Sequence, residues 1–313
     1  MTNKQMVMAA LSPLHAADDT VDVVLNKAGN PRKKNKTKTA RLMLVAIVAM
    51  VLLVTAVAGV GFSSKIQEWF NRDNKLSEEV QSVVSGKTEA VYSTVSDKGI
   101  TIEIKEMFVG NNILKIYFEA KGFSDSFDPS VERIPIDGEV NCYDANGEKI
   151  KRQACTIENY DSEEPSFMAT FIQSPSIDSS LGGEENYTEL LINKVGNVRG
   201  EWKMKIPIHT YATQPIIRVD TIDEETETIK NIVISSEDIS YLSKEDPSAY
   251  NPIAVLTGGE RVTAPFKTYE YDESKDANRV CAFWEHPIAV NQIEQIEFDD
   301  ETSLTISNEN SKR

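Results

Sequence analysis

From Ile100 the chain alternates between apolar and polar residues. Ile100, Ile102 and Ile104 are interleaved with Thr101, Glu103 and Lys105, the period of two that a strand with one wet face requires. Gly110-Asn111-Asn112 supplies turn residues that tolerate positive φ. Leu114, Ile116, Phe118 and Ala120 then alternate with Lys115, Tyr117, Glu119 and Lys121, so a β-hairpin is predicted. Weaker alternation predicts a second hairpin, 139–143 with 149–157, around Asn146-Gly147. Strands are also predicted over 167–172, 187–195 and 201–208, the last with Trp202, Met204, Ile206 and Ile208 on one face. After Pro215 the pattern predicts strands over 216–219, 229–235, 253–257, 268–271, 280–284, 293–298 and 304–306. Short strands spaced about ten residues apart, with few amphipathic helices, predict an all-β fold of two β-sandwich-like domains. Their spans are 88–211 and 212–313, cut near Ala212, unless both halves share one continuous core.

Residues 42–62 follow another rule: twenty-one positions without a charged side chain. As a helix they would span roughly 30 Å, the thickness of a bilayer's hydrocarbon core. Twelve of them are Leu, Val, Ile or Phe, which favour insertion by about 5 kcal/mol at roughly −0.4 kcal/mol each. Lys27, Arg32, Lys33, Lys34, Lys36, Lys38 and Arg41 precede the run, and only Lys65 and Arg72 closely follow it. That asymmetry predicts one transmembrane helix, with the amino terminus cytoplasmic and the carboxyl-terminal domains extracytoplasmic. Ala56-Val57-Ala58 offers the competing reading of a cleaved signal peptide, although 41 residues before the run and its length favour a retained anchor. Ile66, Trp69 and Phe70 are placed to sit in the outer headgroup zone. Residues 63–87 form a connector, with a polar helix expected over 75–85.

Ahead of the span, residues 1–41 are a basic cytoplasmic tail. Lys4 to Leu11 and Thr20 to Lys27 have helical spacing, the second with Asp18 or Asp19 as N-cap and Gly29 just past its end. Two such short helices have no core of their own, so they are expected either to stay disordered or to fold on a partner.

Charge changes the picture of the outer part. Residues 75–313 carry 23 of the 33 basic and 44 of the 49 acidic residues, a net charge of −21. Such a surface repels nucleic acid and anionic headgroups, and no nucleic-acid partner is expected. Cys142, Cys155 and Cys281 allow at most one internal disulfide, and whether Cys142 and Cys155 pair stays open. His15, His209 and His286 are too scattered for a zinc site. His209 and His286 are the candidates for a general base, if a carboxylate orients one of them. The acidic stretches 220–227, 272–276 and 299–301 have oxygen ligands suited to Ca²⁺ but lack the EF-hand pattern. No catalytic, cofactor-binding or metal-binding constellation emerges, so neither an enzyme nor a bound cofactor is expected.

The order of features resembles a known family. One span precedes an aromatic connector (Ile66-Gln67-Glu68-Trp69-Phe70), then Ser96-Asp97-Lys98-Gly99-Ile100-Thr101-Ile102-Glu103-Ile104-Lys105-Glu106, a Gly-Asn-Asn turn, and Leu114-Lys115-Ile116-Tyr117-Phe118. This is similar to the bacterial membrane proteins of the domain of unknown function 4179 family. Gly200-Glu201-Trp202-Lys203-Met204-Lys205-Ile206-Pro207 resembles a strand in their carboxyl-terminal halves. Some of those proteins are regarded as anti-sigma factors, so the resemblance implies an outer sensor or binding region for an unknown envelope ligand. It also implies a tail that engages a cytoplasmic sigma factor. The alternative is a membrane-tethered binding or structural module with no cytoplasmic partner.

Overall fold

The first hairpin forms as its alternation requires, with one irregularity that governs the rest of the domain. In a computed structural model of the chain, β1 spans Thr88–Asp97, β2 Ile100–Val109 and β3 Ile113–Lys121. Ile100, Ile102 and Ile104 point into the core. A bulge between Ile104 and Glu106 then shifts the register by one residue. Beyond it Met107 and Val109 enter the core, while Glu106 and Phe108 move to the opposite face of the sheet.

The structure describes residues 64–72, 76–122, 133–161, 165–175, 181, 185–208, 216–221, 228–298 and 302–306. The tail 1–41, the apolar run 42–62, the cut at Ala212, His15 and His209 lie outside them. Among the described residues no helix is long and apolar enough to cross a membrane.

The strands that follow are β4 (Ile136–Tyr143), β5 (Arg152–Asp161), β6 (Ser166–Gln173), β7 (Tyr187–Val195) and β8 (Val198–Pro207). They complete a five-stranded sheet in the order β1-β2-β3-β6-β5 and a three-stranded sheet in the order β4-β7-β8. All pairings in both are antiparallel. The inner faces meet in a core that runs from Val91 to Ile208 and includes Phe118, Phe167, Phe171 and Trp202. Trp202 is fully enclosed, and its indole N–H donates to the Ile100 carbonyl at 2.9 Å, stitching β8 to β2.

A second group comprises β9 (Ile217–Thr221), β10 (Ile229–Ile234), β11 (Asp238–Ser243), β12 (Ile253–Leu256), β13 (Arg261–Thr263), β14 (Phe266–Asp272), β15 (Ala277–Phe283), β16 (Ile293–Glu297) and β17 (Ser303–Thr305). They form a five-stranded sheet, β14-β15-β11-β10-β9, and a four-stranded sheet, β13-β12-β16-β17. A separate core runs from Ile217 to Leu304, with Tyr241 and Phe298 edge to face at 5.3 Å. The described residues are therefore all-β in class, with sheets stacked as sandwiches and few helices.

Two expectations need correction. The segment around Asn146-Gly147 is not a full hairpin, because β4 and β5 lie in opposite sheets. Asp144 does close a tight turn there: its carboxylate accepts from the Asn146 and Glu148 amides at 2.9 and 2.8 Å. The ladder stops at a single Tyr143–Lys149 bridge before the chain crosses the sandwich. Cys142 therefore faces the core from one sheet and Cys155 from the other, and both are free thiols. Burial pushes the Cys142 thiol up to about 12, which keeps it protonated.

The second correction concerns the connector. Helix α1 (Lys65–Phe70) and helix α2 (Glu78–Gly86) pack on the outer face of the first five-stranded sheet. Ile66, Val80 and Val84 are buried there against Phe108, Tyr117 and Met168, and Trp69 and Phe70 pack alongside. The aromatic pair thus covers protein rather than lying free for headgroups. That sheet face, read as wet from its Lys and Tyr, is covered over β2, β3 and β6.

Candidate functional site

The outer face of the first sheet carries Glu106, Phe108, Lys115, Tyr117, Met168 and Thr170 side by side through cross-strand register. Glu106 serves as an acceptor for the start of α1. Its carboxylate accepts from Ser64 Oγ at 2.7 Å and from the amides of Lys65 and Ile66 at 3.1 Å each. Ser64 Oγ in turn caps the Gln67 amide at 3.2 Å. These amides open a helix and have no partner within it, so a carboxylate supplied by the sheet fixes where α1 begins.

Held this way, α1 lays Trp69 over Lys115. The Lys115 ammonium nitrogen sits 3.6 Å from the centre of the Trp69 ring and 3.1 Å from Thr170 Oγ1, its one hydrogen-bond acceptor among the described residues. Lys115 is only 3% exposed. Burial pulls its amine down to about 7; the Glu158 charge works against that shift and Arg72 adds to it. The Trp69 indole nitrogen is buried and has no acceptor among the described residues.

The second sandwich closes the site. Its five-stranded sheet presents an unusually polar outer face: Asp238, Ser240 and Thr268 are all buried there. Asn112, from the first hairpin turn, donates to Asp238 Oδ2 and to Ser240 Oγ at 3.2 Å each. Lys87, at the end of α2, reaches both oxygens of Glu237 at 2.8 Å and Ser236 Oγ at 2.8 Å. Gly110 allows this approach, since a Cβ there would meet Glu237 Oε2 at 3.1 Å and Ile113 at 2.8 Å. Burial, and then the adjacent Glu237 charge, push the Asp238 carboxyl up to about 6. At the margin Glu270 takes hydrogen bonds from Lys151 and Ser174, and Glu79 from Asn291 and Gln292.

Between these contacts lies a cleft of about 240 Å³. Lys115, Thr170 and Ile113 form its floor; Trp69 and Phe70 of α1 make one wall, and Phe266, Phe283 and Trp284 face them from the second sandwich. Glu158 and Glu285 are exposed side chains on its lining.

His286, a general-base candidate from the sequence, lines the same cleft. Its Nδ1 lies 3.1 Å from the Pro287 carbonyl and its Nε2 4.0 Å from Glu260. A backbone oxygen, not a carboxylate, orients the ring. Within the acidic stretch 272–276, Asp272 is occupied by Ser274 and Arg279, and Asp276 by Tyr271. No group of three metal-ligating side chains converges among the described residues. The stretch 299–301 lies outside those residues, as does most of 220–227.

Lys115 was invisible as a site residue because its alternation marks it as solvated. Its one sequence signal is the aromatic connector, which needs a surface to cover.

No family model and no curated protein matches the chain. Among solved structures it is similar to a conserved domain protein from Bacillus anthracis, at 10% identity and a TM-score of 0.45, over 67% of this chain and 75% of that one. It is also similar to bovine butyrophilin, at 8% identity and a TM-score of 0.18, over 63% of this chain and 92% of that one. At those scores neither likeness bears on the fold or on the cleft.

Proposed function

We propose that the chain is a single-span membrane protein whose extracytoplasmic β-sandwiches sense an envelope ligand and signal through the span to the amino-terminal tail. The observation that carries this reading is the position of α1. It starts two residues after the apolar run, is fastened to the sheet by Glu106, and supplies the Trp69–Phe70 wall of the cleft. A ligand that shifts that wall acts on the residues joined directly to the span. The basic tail, with two short apolar-spaced segments, is suited to fold on a cytoplasmic partner. The resemblance to the domain of unknown function 4179 family supports a sigma factor as that partner.

Reporter fusions after residues 30 and 313 test the topology, with opposite sides of the membrane expected. Deleting residues 1–30 is expected to change sigma-dependent transcription. Unchanged transcription, with both fusions on opposite sides, would leave a tethered binding module without a cytoplasmic partner. Both fusions on one side would end the reading altogether.

A further inference from the structure

Two residues that line the cleft carry nitrogen donors without matching acceptors. Lys115 has one acceptor, Thr170 Oγ1, for three ammonium hydrogens, and the buried Trp69 indole N–H has none among the described residues. Buried donors are nearly always satisfied, so an unmet pair on the lining of a cavity offers hydrogen bonds to an acceptor that enters it. We propose that the cleft binds a small organic anion, its carboxylate seated on Lys115 and the Trp69 N–H and its flat apolar body held between Phe70, Phe266, Phe283 and Trp284.

Size sets the scale of the ligand. At about 240 Å³ the space is below the roughly 300–1,000 Å³ of pockets for drug-sized molecules, which suits a one-ring acid. A cationic ligand fits less well, despite the aromatic walls and the carboxylates of Glu158 and Glu285. The cation position over the Trp69 ring is already filled by Lys115 itself, 3.6 Å from the ring centre. A second cation finds that ring face taken by the amine, and is repelled from it whenever the amine carries its proton. Glu237, also on the lining, is neutralised by Lys87. The charged and titratable groups around the Lys115 amine are then Glu158 on β5, Arg72 beyond α1, and Glu285 and His286 from the second sandwich. A carboxylate placed against the amine favours its charged form, so binding above neutral pH takes up a proton.

The identity of the ligand class rests on the sensor reading, but its test does not use the signalling output. Full-length protein in detergent is titrated calorimetrically with phenylacetate, benzylamine and benzyl alcohol at pH 8, in two buffers of different ionisation enthalpy. Phenylacetate is expected to bind with net proton uptake, and the other two at least tenfold more weakly. Lys115→Met is expected to weaken phenylacetate at least tenfold and abolish the uptake. Trp69→Phe keeps the wall but removes the N–H, and is expected to weaken it several-fold. Preferential binding of benzylamine, equal affinity in Lys115→Met, or no heat from any probe would overturn the proposal. Failed binding with intact topology and transcription would sink the ligand class alone; binding with failed topology would sink the sensor reading alone.

Discussion

Replacing Lys87 by Met tests how the two sandwiches are held together. Lys87 and Glu237 are 6% and 4% exposed at their side chains, and the ammonium contacts both carboxylate oxygens at 2.8 Å. Met fills much the same volume but leaves Glu237 as an uncompensated buried charge. The Ser235 and Ser236 hydroxyls remain as its hydrogen-bond donors. Breaking one side of such a pair costs about 3–5 kcal/mol, whereas removing both charges is close to neutral. The Lys87→Met, Glu237→Gln double variant should therefore recover most of the loss, giving a large favourable coupling in a double-mutant cycle. Urea unfolding followed by tryptophan fluorescence reads this directly, because the Trp284 N–H donates to the Ser235 carbonyl at 3.1 Å, beside the pair. A cost below about 1 kcal/mol for the single variant, or a double variant as unstable as the single, would refute a junction built on this pair.

Three further outcomes are expected. The Lys115 amine falls from 10.5 unfolded to about 7 folded, so its penalty is fully present below pH 7 and stability rises as pH climbs from about 7 towards 10.5. That rise is at most about 5 kcal/mol; Lys115→Met should flatten it and be the more stable form at pH 6, and an unchanged pH profile of Tm would contradict the burial of the charge. Glu106→Ala removes the acceptor of the first α1 amides at a cost of about 1–2 kcal/mol, and faster deuterium exchange over residues 64–72 should reveal it; unchanged exchange there would show that Glu106 does not hold the helix. Trp202→Phe removes the indole donor to the Ile100 carbonyl and leaves a small void, so a loss of about 2–4 kcal/mol in thermal or urea unfolding is expected, and a loss below about 1 kcal/mol would argue against the stitch between β8 and β2.

Legibility in the sequence followed solvent. The β2–β3 hairpin could be read because Ile100, Ile102 and Ile104 alternate against polar neighbours until the bulge. Trp202 read correctly as core for the same reason. Three strands were not anticipated, the three-residue β13 among them. β1 is an edge strand with mostly polar residues and a bulge between Ala90 and Ser93, which breaks the period. β11 is central, but its Asp238 and Ser240 face the other sandwich, so polar residues there signal an interface that only the fold creates. The Asn146-Gly147 turn was visible, yet a turn does not say whether its flanking strands stay in one sheet.

Local order alone thus determined the strand-rich class, the first hairpin, the enclosed Trp202 and the long apolar run, because each depends on neighbours within a few residues. Tertiary structure alone decided which face of the first sheet is dry, where the connector docks, and what surrounds Lys115. Those properties arise from partners far apart in the chain, such as Lys87 and Glu237 at a separation of 150. A residue pattern records the side of a strand a group occupies; only assembly determines whether water or protein lies on that side.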